Sequence, residues 1–232
     1  VVLWPVGLNV NAYRKLLDNR QIWIGYRNTI FYAGVGTVFD LAVTLPCAFA
    51  LSRVRLPGRR PLMLLFLFTM YFTGGIVPSY LLYNQLGMIN TVWVLLIPGT
   101  LNVYNMIIAR SFFESGLPEP VFESARIDGA SYTRFFLQFA LPLSSAMIAV
   151  LALLYALGHW NAYLGPRMYL QSPNLQTLQV IIKDITARLD TSLAEDMSSD
   201  ELIRQVQEKQ LMKYAVVIVS IVPMMLAYPF LQ

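Results

Sequence analysis

The chain has 232 residues, 56% of them hydrophobic and 13% charged, with a net charge of +4 and a mean hydropathy of +0.54. The apolar residues stand in long runs that reach the roughly 20 positions a helix needs to cross the hydrocarbon core, which excludes a soluble globular domain. Only helices or closed barrels satisfy their backbone in lipid. The expected class is therefore all-α: a polytopic helical membrane protein built as one bundle. No basic patch is interleaved with exposed aromatics, so nucleic acid is not an expected partner, whereas the lipid bilayer is. The single cysteine, Cys47, lies inside a run, so no intrachain disulfide forms and the redox compartment stays open.

In chain order, residues 1–27 read as an extracytoplasmic or interfacial N-terminal segment. Its apolar start, VVLWPVGLNV, is too short to span and is not preceded by an initiator methionine or a basic leader. It reads as the tail of a missing first helix in a chain trimmed at its ends. Trp23 and Tyr26 beside Arg20 and Arg27 are interfacial chemistry. Residues 28–232 form the transmembrane domain, with spans expected over 28–51, 61–83, 91–113, 142–164 and 214–232.

In the first span, Ala33, Gly36, Thr37, Asp40, Thr44 and Cys47 share one helical face, and all but Asp40 are small, which suits close helix packing. A charged Asp40 at mid-span costs about 2.5–3.5 kcal/mol unless it faces the bundle or water. A protonated or hydrogen-bonded structural carboxyl is the favoured reading, and a place on a water-filled path the alternative. Pro46 marks an expected kink. The loop 52–60 carries Arg53, Arg55, Arg59 and Arg60 and no acid, the mark of a cytoplasmic loop.

The span over 61–83 runs outward, its outer half loosened by Gly74-Gly75 and Pro78. Close packing explains the glycines most simply; an unwound approach to a permeant is the alternative. The return span, 91–113, is interrupted at Pro98-Gly99 and softened by Asn102 and Asn105, amides that bond other helices or line a hydrophilic path. Arg110 snorkels at its inner edge. The span 142–164 ends in Gly158-His159-Trp160-Asn161-Ala162-Tyr163. His159, the one histidine, is read as packed or interfacial. Trp160, Asn161 and Tyr163 suit a sugar face and its hydroxyls, and equally an interface belt.

The segment 165–213 is the longest polar stretch and is placed outside. Leu178, Ile181, Ile182, Ile185 and Leu189 keep the spacing of an amphipathic helix. Ser198 and Glu201 form a capping box. Pro223 and Pro229 fall in the last span.

The polar segment 118–141 lies between two such spans and reads as two short helices meeting at Gly129. Pro120 suits a first turn, Val121, Phe122 and Ala125 share a face, and Ser131 is an N-cap. Pro142 breaks the second helix and opens a third. Held crosswise beneath a bundle, such a helix fits another protein's groove. An ordinary amphipathic loop would show the same spacing.

Glu123, Ala125, Gly129, Leu141 and Pro142, strengthened by Arg126-Ile127-Asp128-Gly129-Ala130, resemble the EAA–G–(I)–LP signature of permease subunits of bacterial ABC importers. Ser124 and Phe139 depart from it, in place of an alanine and an isoleucine. Leu51–Arg53, Pro57-Gly58-Arg59, Gly74-Gly75 with Pro78, Leu86-Gly87 and Trp160-Asn161 resemble the carbohydrate, maltose-type branch. Tyr228–Gln232 and the long outer loop are most similar to its oligosaccharide and polysaccharide members, importers of alginate and pectin fragments among them.

The resemblance implies the type I permease fold, five of whose six spans are visible, in the bacterial cytoplasmic (inner) membrane. It implies a second permease subunit, an ATPase homodimer, an extracytoplasmic solute-binding protein and a saccharide substrate as partners. Val121, Phe122, Glu123, Ser124, Ala125, Arg126, Asp128, Gly129 and Ala130 would then couple to the ATPase. Asp40, Gly74, Gly75, Asn102, Asn105, Trp160, Asn161 and Tyr163 are candidates for the translocation path.

No phosphate-binding G-x-x-x-x-G-K-[ST] loop, metal-ligand spacing or nucleophile–base motif occurs in the chain. No catalytic residue or cofactor is therefore assigned to it, and ATP and Mg belong to the partner ATPase. An importer of another small solute, or a secondary transporter or channel working through Asp40, are the rival readings.

Overall fold

The computed structural model describes residues 11–117, 119–191, 210–223 and 225. The apolar start 1–10, the capping box at Ser198 and Glu201, and the last span beyond residue 225 lie outside the described residues. Every regular element among the described residues is helical. In chain order they are α1 (Asn11–Leu17), α2 (Arg20–Ser52), α3 (Arg59–Tyr71), α4 (Ile76–Gln85), α5 (Trp93–Leu96), α6 (Val103–Gly116) and α7 (Glu119–Ile127). There follow α8 (Tyr132–Phe135), a π-helical turn over Phe136–Ala140, α9 (Leu141–Leu143), α10 (Ser145–Asn161), α11 (Leu164–Tyr169), α12 (Leu178–Thr191) and α13 (Gln210–Pro223).

The chain divides into two compact units. One holds residues 1–30 and 161–230, the other residues 31–160 and 231–232.

In the unit of residues 1–30 and 161–230, the start of α2 is pinned to the start of α12. The Asn28 amide donates to the carbonyls of Asn174 (2.7 Å) and Gln176 (2.9 Å), and Thr29 Oγ1 accepts from the Leu178 N–H (2.9 Å). Gly25 permits the approach: a Cβ there would lie 2.8 Å from the Ile181 side chain and 3.0 Å from Leu178 Cα. α12 is the expected amphipathic helix, with Leu178, Ile181 and Ile182 buried and Lys183 turned out over the Tyr163 ring. Arg167 reaches Asp184 on its polar side (2.8 Å), and the Tyr26 hydroxyl donates to the Val219 carbonyl on α13.

In the unit of residues 31–160, the stretch 31–52 of α2 is the axis. It extends about 33 Å at 1.5 Å per residue, enough to cross the bilayer core. The helix runs through Pro46 without a break. Gly36, Thr37, Asp40 and Thr44 are buried along the face expected to pack, and Ala48, Phe49 and Leu51 continue it into an apolar core with Met106, Ala109, Phe113, Phe122, Phe135 and Leu151.

The helix expected over 61–83 is instead two, α3 and α4, bent by 108°. Phe72 takes an extended conformation, and Gly75 has φ 85°, a value open to glycine and costly for other residues. The glycine pair therefore breaks the helix and does not merely loosen it. The segment 91–113 is likewise two helices, α5 and α6, separated at Pro98-Gly99. Proline removes a donor there, Gly99 takes φ 80°, and the Asn102 side chain restarts the helix by accepting from the Asn105 N–H (3.1 Å). The third break, of 81°, separates 132–143 from α10 at Ser144; the helical run passes through Pro142, the residue expected to break it, because the proline sits in the first turn of α9, where its missing N–H costs least. Among the described residues α2 alone is long and apolar enough to cross a membrane, and up to three spans are present when each bent pair counts as one.

Candidate functional site

The signature segment folds as its residues dictate. Pro120 sits in the first turn of α7, where its missing N–H has no partner to lose. The helix stops at Gly129, whose φ is 82°. There the Ala130 N–H closes back to the Ala125 carbonyl (2.9 Å) and the Gly129 N–H to Arg126 (3.0 Å). Six-to-one closure across a left-handed glycine is the Schellman stop. Ser131 then caps α8 by accepting from the Arg134 N–H (3.2 Å).

Two side chains hold α7 in place. Phe122 is 0% exposed and Ala125 8%. The Phe122 ring meets Phe135 edge-on at 5.0 Å and Tyr132 at 4.6 Å. Phe135 in turn stacks on Phe49 of α2, and Phe49 meets Phe113 of α6 edge-on. Aromatic contacts thus join the short helix to the long one.

The opposite face is open. Val121 is 41% exposed and Ile127 86%; Ser124, Asp128 and Gly129 are exposed with them. Val121 and Phe122, expected on one face, therefore part company. Of the residues assigned to ATPase coupling, Phe122 and Ala125 position the helix. Ala130 is half-buried at its end, and the Ser124 hydroxyl is turned back to the Val121 carbonyl (3.0 Å). Glu123 is tied to Arg55 (2.6 Å), and the Arg126 guanidinium lies 5.8 Å from the centre of the Phe122 ring.

Sequence reasoning missed two residues here. Ile127 enters the sequence pattern only as part of the signature, although an isoleucine one residue before a polar stop, out of phase with Phe122 and Ala125, is a signal of an outward face. Arg53 was read only for topology. It is 4% exposed and donates to the carbonyls of Phe113 (3.0 Å) and Leu117 (3.3 Å), with its guanidinium 4.9 Å from the centre of the Phe49 ring. A cation at a helix C-terminus satisfies carbonyls that have no intrahelical partner. Arg53 thereby fixes where α6 ends and the crossing to α7 begins. Beside it, a cavity of about 410 Å³ opens among Pro46, Phe49, Arg55, Tyr132 and Phe136.

The candidates for a path are placed differently. Asp40, 3% exposed, is paired with His159 Nε2 at 2.8 Å. Gly36 makes the room: a Cβ there would lie 2.5 Å from Nε2 and 2.6 Å from Cε1 of that ring. One turn along both helices, Thr44 and Tyr155 share a hydrogen bond of 2.7 Å. The favoured reading of Asp40, a hydrogen-bonded carboxyl, matches this geometry, and the packed His159 is its partner. Gly74 and Gly75 are exposed at the α3–α4 break. Asn102 caps α6, and Asn105 is buried one turn in. Trp160 is buried at the end of α10, Asn161 is exposed, and Tyr163 carries Lys183 3.8 Å above its ring centre. Asp40, Asn102 and Tyr163 thus each engage a different partner.

Three comparisons bear on this arrangement. A chain in the crystal structure of a bacterial ABC transporter involved in the import of the acidic polysaccharide alginate is similar with a TM-score of 0.85 and 30% identity, over 100% of this chain and 81% of that one. The polygalacturonan/rhamnogalacturonan transport system permease protein YtcP of Bacillus subtilis (strain 168) is 34% identical over 231 residues, covering 100% of this chain and 80% of the relative. Protein LplC of the same organism is 34% identical over 230 residues, covering 99% and 77%. Residues 22–232 match the binding-protein-dependent transport system inner membrane component, and the chain belongs to that family.

Proposed function

We propose that this chain is one of two permease subunits of an ABC importer that carries acidic oligo- or polysaccharide across the inner membrane, powered by an ATPase dimer seated on α7. The observation that carries the reading is the split character of α7. One face, Phe122 and Ala125, is locked into the core, and the other, with Val121 and Ile127, is apolar and open. A helix built that way receives a push on its open face and passes it through Phe122, Phe135 and Phe49 to α2. The relative named for polygalacturonan/rhamnogalacturonan transport, and the solved transporter involved in the import of the acidic polysaccharide alginate, support an acidic saccharide here.

In this reading ATP and Mg bind the partner ATPase, a solute-binding protein delivers the saccharide, and the chain contributes half of the path. The test is reconstitution. Purified with its partners in proteoliposomes, the complex takes up oligogalacturonate or oligoalginate with ATP and loaded binding protein, and neutral maltodextrin poorly. Gly129→Val places a branched side chain at φ 82°, where L-residues are strained by about 1–2 kcal/mol or more. It uncouples uptake from ATP hydrolysis or blocks assembly of the complex. Wild-type uptake by Gly129→Val refutes the coupling role of this segment, and preference for a neutral sugar refutes the substrate class.

A further inference from the structure

We propose that the cleft walled by Arg59, Arg60 and Arg110 is a binding site for the phosphodiester headgroup of an anionic membrane lipid. The cleft encloses about 810 Å³ where the start of α3 lies beside α6. Two of its arginines share one acid: Arg110 reaches Glu114 Oε1 with Nη2 at 2.8 Å and Nε at 3.2 Å, and Arg59 Nη2 reaches the same oxygen. Arg60 is exposed and has no hydrogen bond or ion pair among the described residues. Three guanidinium charges therefore stand against the single carboxylate of Glu114. An excess of this kind in a concave site calls for an anion, and guanidinium groups match phosphate oxygens in a fork geometry.

The walls select which anion. Val54 and Leu64 are 73% and 66% exposed, and Met63 lines the cleft with them. A saccharide is held by amides, hydroxyls and aromatic faces, and the lining has none of these. Free phosphate would leave the aliphatic wall uncovered. A phospholipid places its charged diester on the arginines and its glycerol and upper acyl carbons on Val54, Met63 and Leu64. Basic pockets between helices at the cytoplasmic leaflet hold such headgroups. The placement of loop 52–60 at that leaflet rests on the importer reading; the charge excess and the aliphatic wall do not.

The test uses the whole transporter, purified with its partner subunits and exchanged into nanodiscs of phosphatidylcholine mixed with phosphatidylglycerol. Lipids retained after gentle release are read by native mass spectrometry, and a photoactivatable phosphatidylglycerol maps the contact. Phosphatidylglycerol is retained in preference to phosphatidylcholine, and the label falls within 54–64 or beside Arg110. Arg60→Ala weakens retention about fivefold, the weight of one cation beside an anionic headgroup, and Arg60→Lys keeps most of it, both with unchanged thermal unfolding.

Equal retention of the two lipids, labelling elsewhere, or an Arg60→Ala variant that binds like wild type overturns the proposal. So does displacement of the lipid by millimolar inorganic phosphate or oligogalacturonate. None of these readouts needs ATP, binding protein or cargo, so a failed uptake assay leaves the lipid site standing.

Discussion

The two ends of the buried stretch of α2 are built from different materials. At Phe49 and Arg53 the helix is held by rings and by a guanidinium bound to main-chain carbonyls, and each of these contacts reaches α6, α8 or the crossing into α7. At Gly36 and Asp40, about 20 Å away at 1.5 Å per residue, the same helix is held to α10 by a buried polar pair and a hydroxyl pair. The ring contacts of the first arrangement tolerate a range of angles and run without a gap from α7 to α2, which suits them to pass a displacement on. The second is directional and specific, so it fixes which faces of α2 and α10 meet. A subunit that must take a push at one end and keep its helices in register further along needs both.

The largest effect that separates the two regions is expected at Phe122. Phe122→Ala empties a fully buried site and should cost about 3–5 kcal/mol, read as a large drop in thermal stability of the purified complex with loss of both ATPase and uptake. Ile127→Ala, on the exposed side of the same helix, should leave stability unchanged and lower only ATPase-coupled uptake. Equal destabilisation by both variants would mean that α7 has no inner and outer face in the working complex.

Next in size is the polar pair. Asp40→Ala leaves the His159 ring without its buried partner and should cost about 3 kcal/mol. Gly36→Ala should reproduce much of that loss by displacing the ring. Asp40→Leu combined with His159→Leu should recover stability, because two apolar groups replace both members. Stability regained without uptake would show that the pair also sets the register used in transport; regain of both would show a purely architectural clasp. The smallest effect is expected at Ser144, whose buried hydroxyl has no partner among the described residues. Ser144→Ala should be neutral or stabilising by less than about 1 kcal/mol, and a clear loss by thermal unfolding would reveal a partner for that hydroxyl in the assembled complex.

The same contrast explains what could be read from the chain. The α7 segment was legible because its proline, glycine, serine cap and signature residues lie within two dozen consecutive positions and act on local backbone. Asp40 and His159 are 119 positions apart; the cost of a lone mid-span carboxylate announced that a partner was needed, but not which one. Arg53 lay among four arginines that composition treats alike, and only the geometry distinguishes the one that ends α6. The breaks at Gly74-Gly75 and Pro98-Gly99 were visible as residues, while their size was not, since a glycine pair permits a bend without setting its angle. For the path candidates the chain gives residue types but not neighbours: the contacts of Asp40 with His159 and of Lys183 with the Tyr163 ring join positions far apart in sequence.

The most direct test of the central claim places a cysteine at the open face of α7, as Ile127→Cys in a Cys47→Ser background, in membranes holding the complete transporter. The account predicts that a membrane-impermeant maleimide labels it in inside-out vesicles stripped of ATPase, fails to label it in intact cells, and is blocked when the ATPase is added back. Labelling from outside intact cells, or labelling that added ATPase does not change, would contradict it.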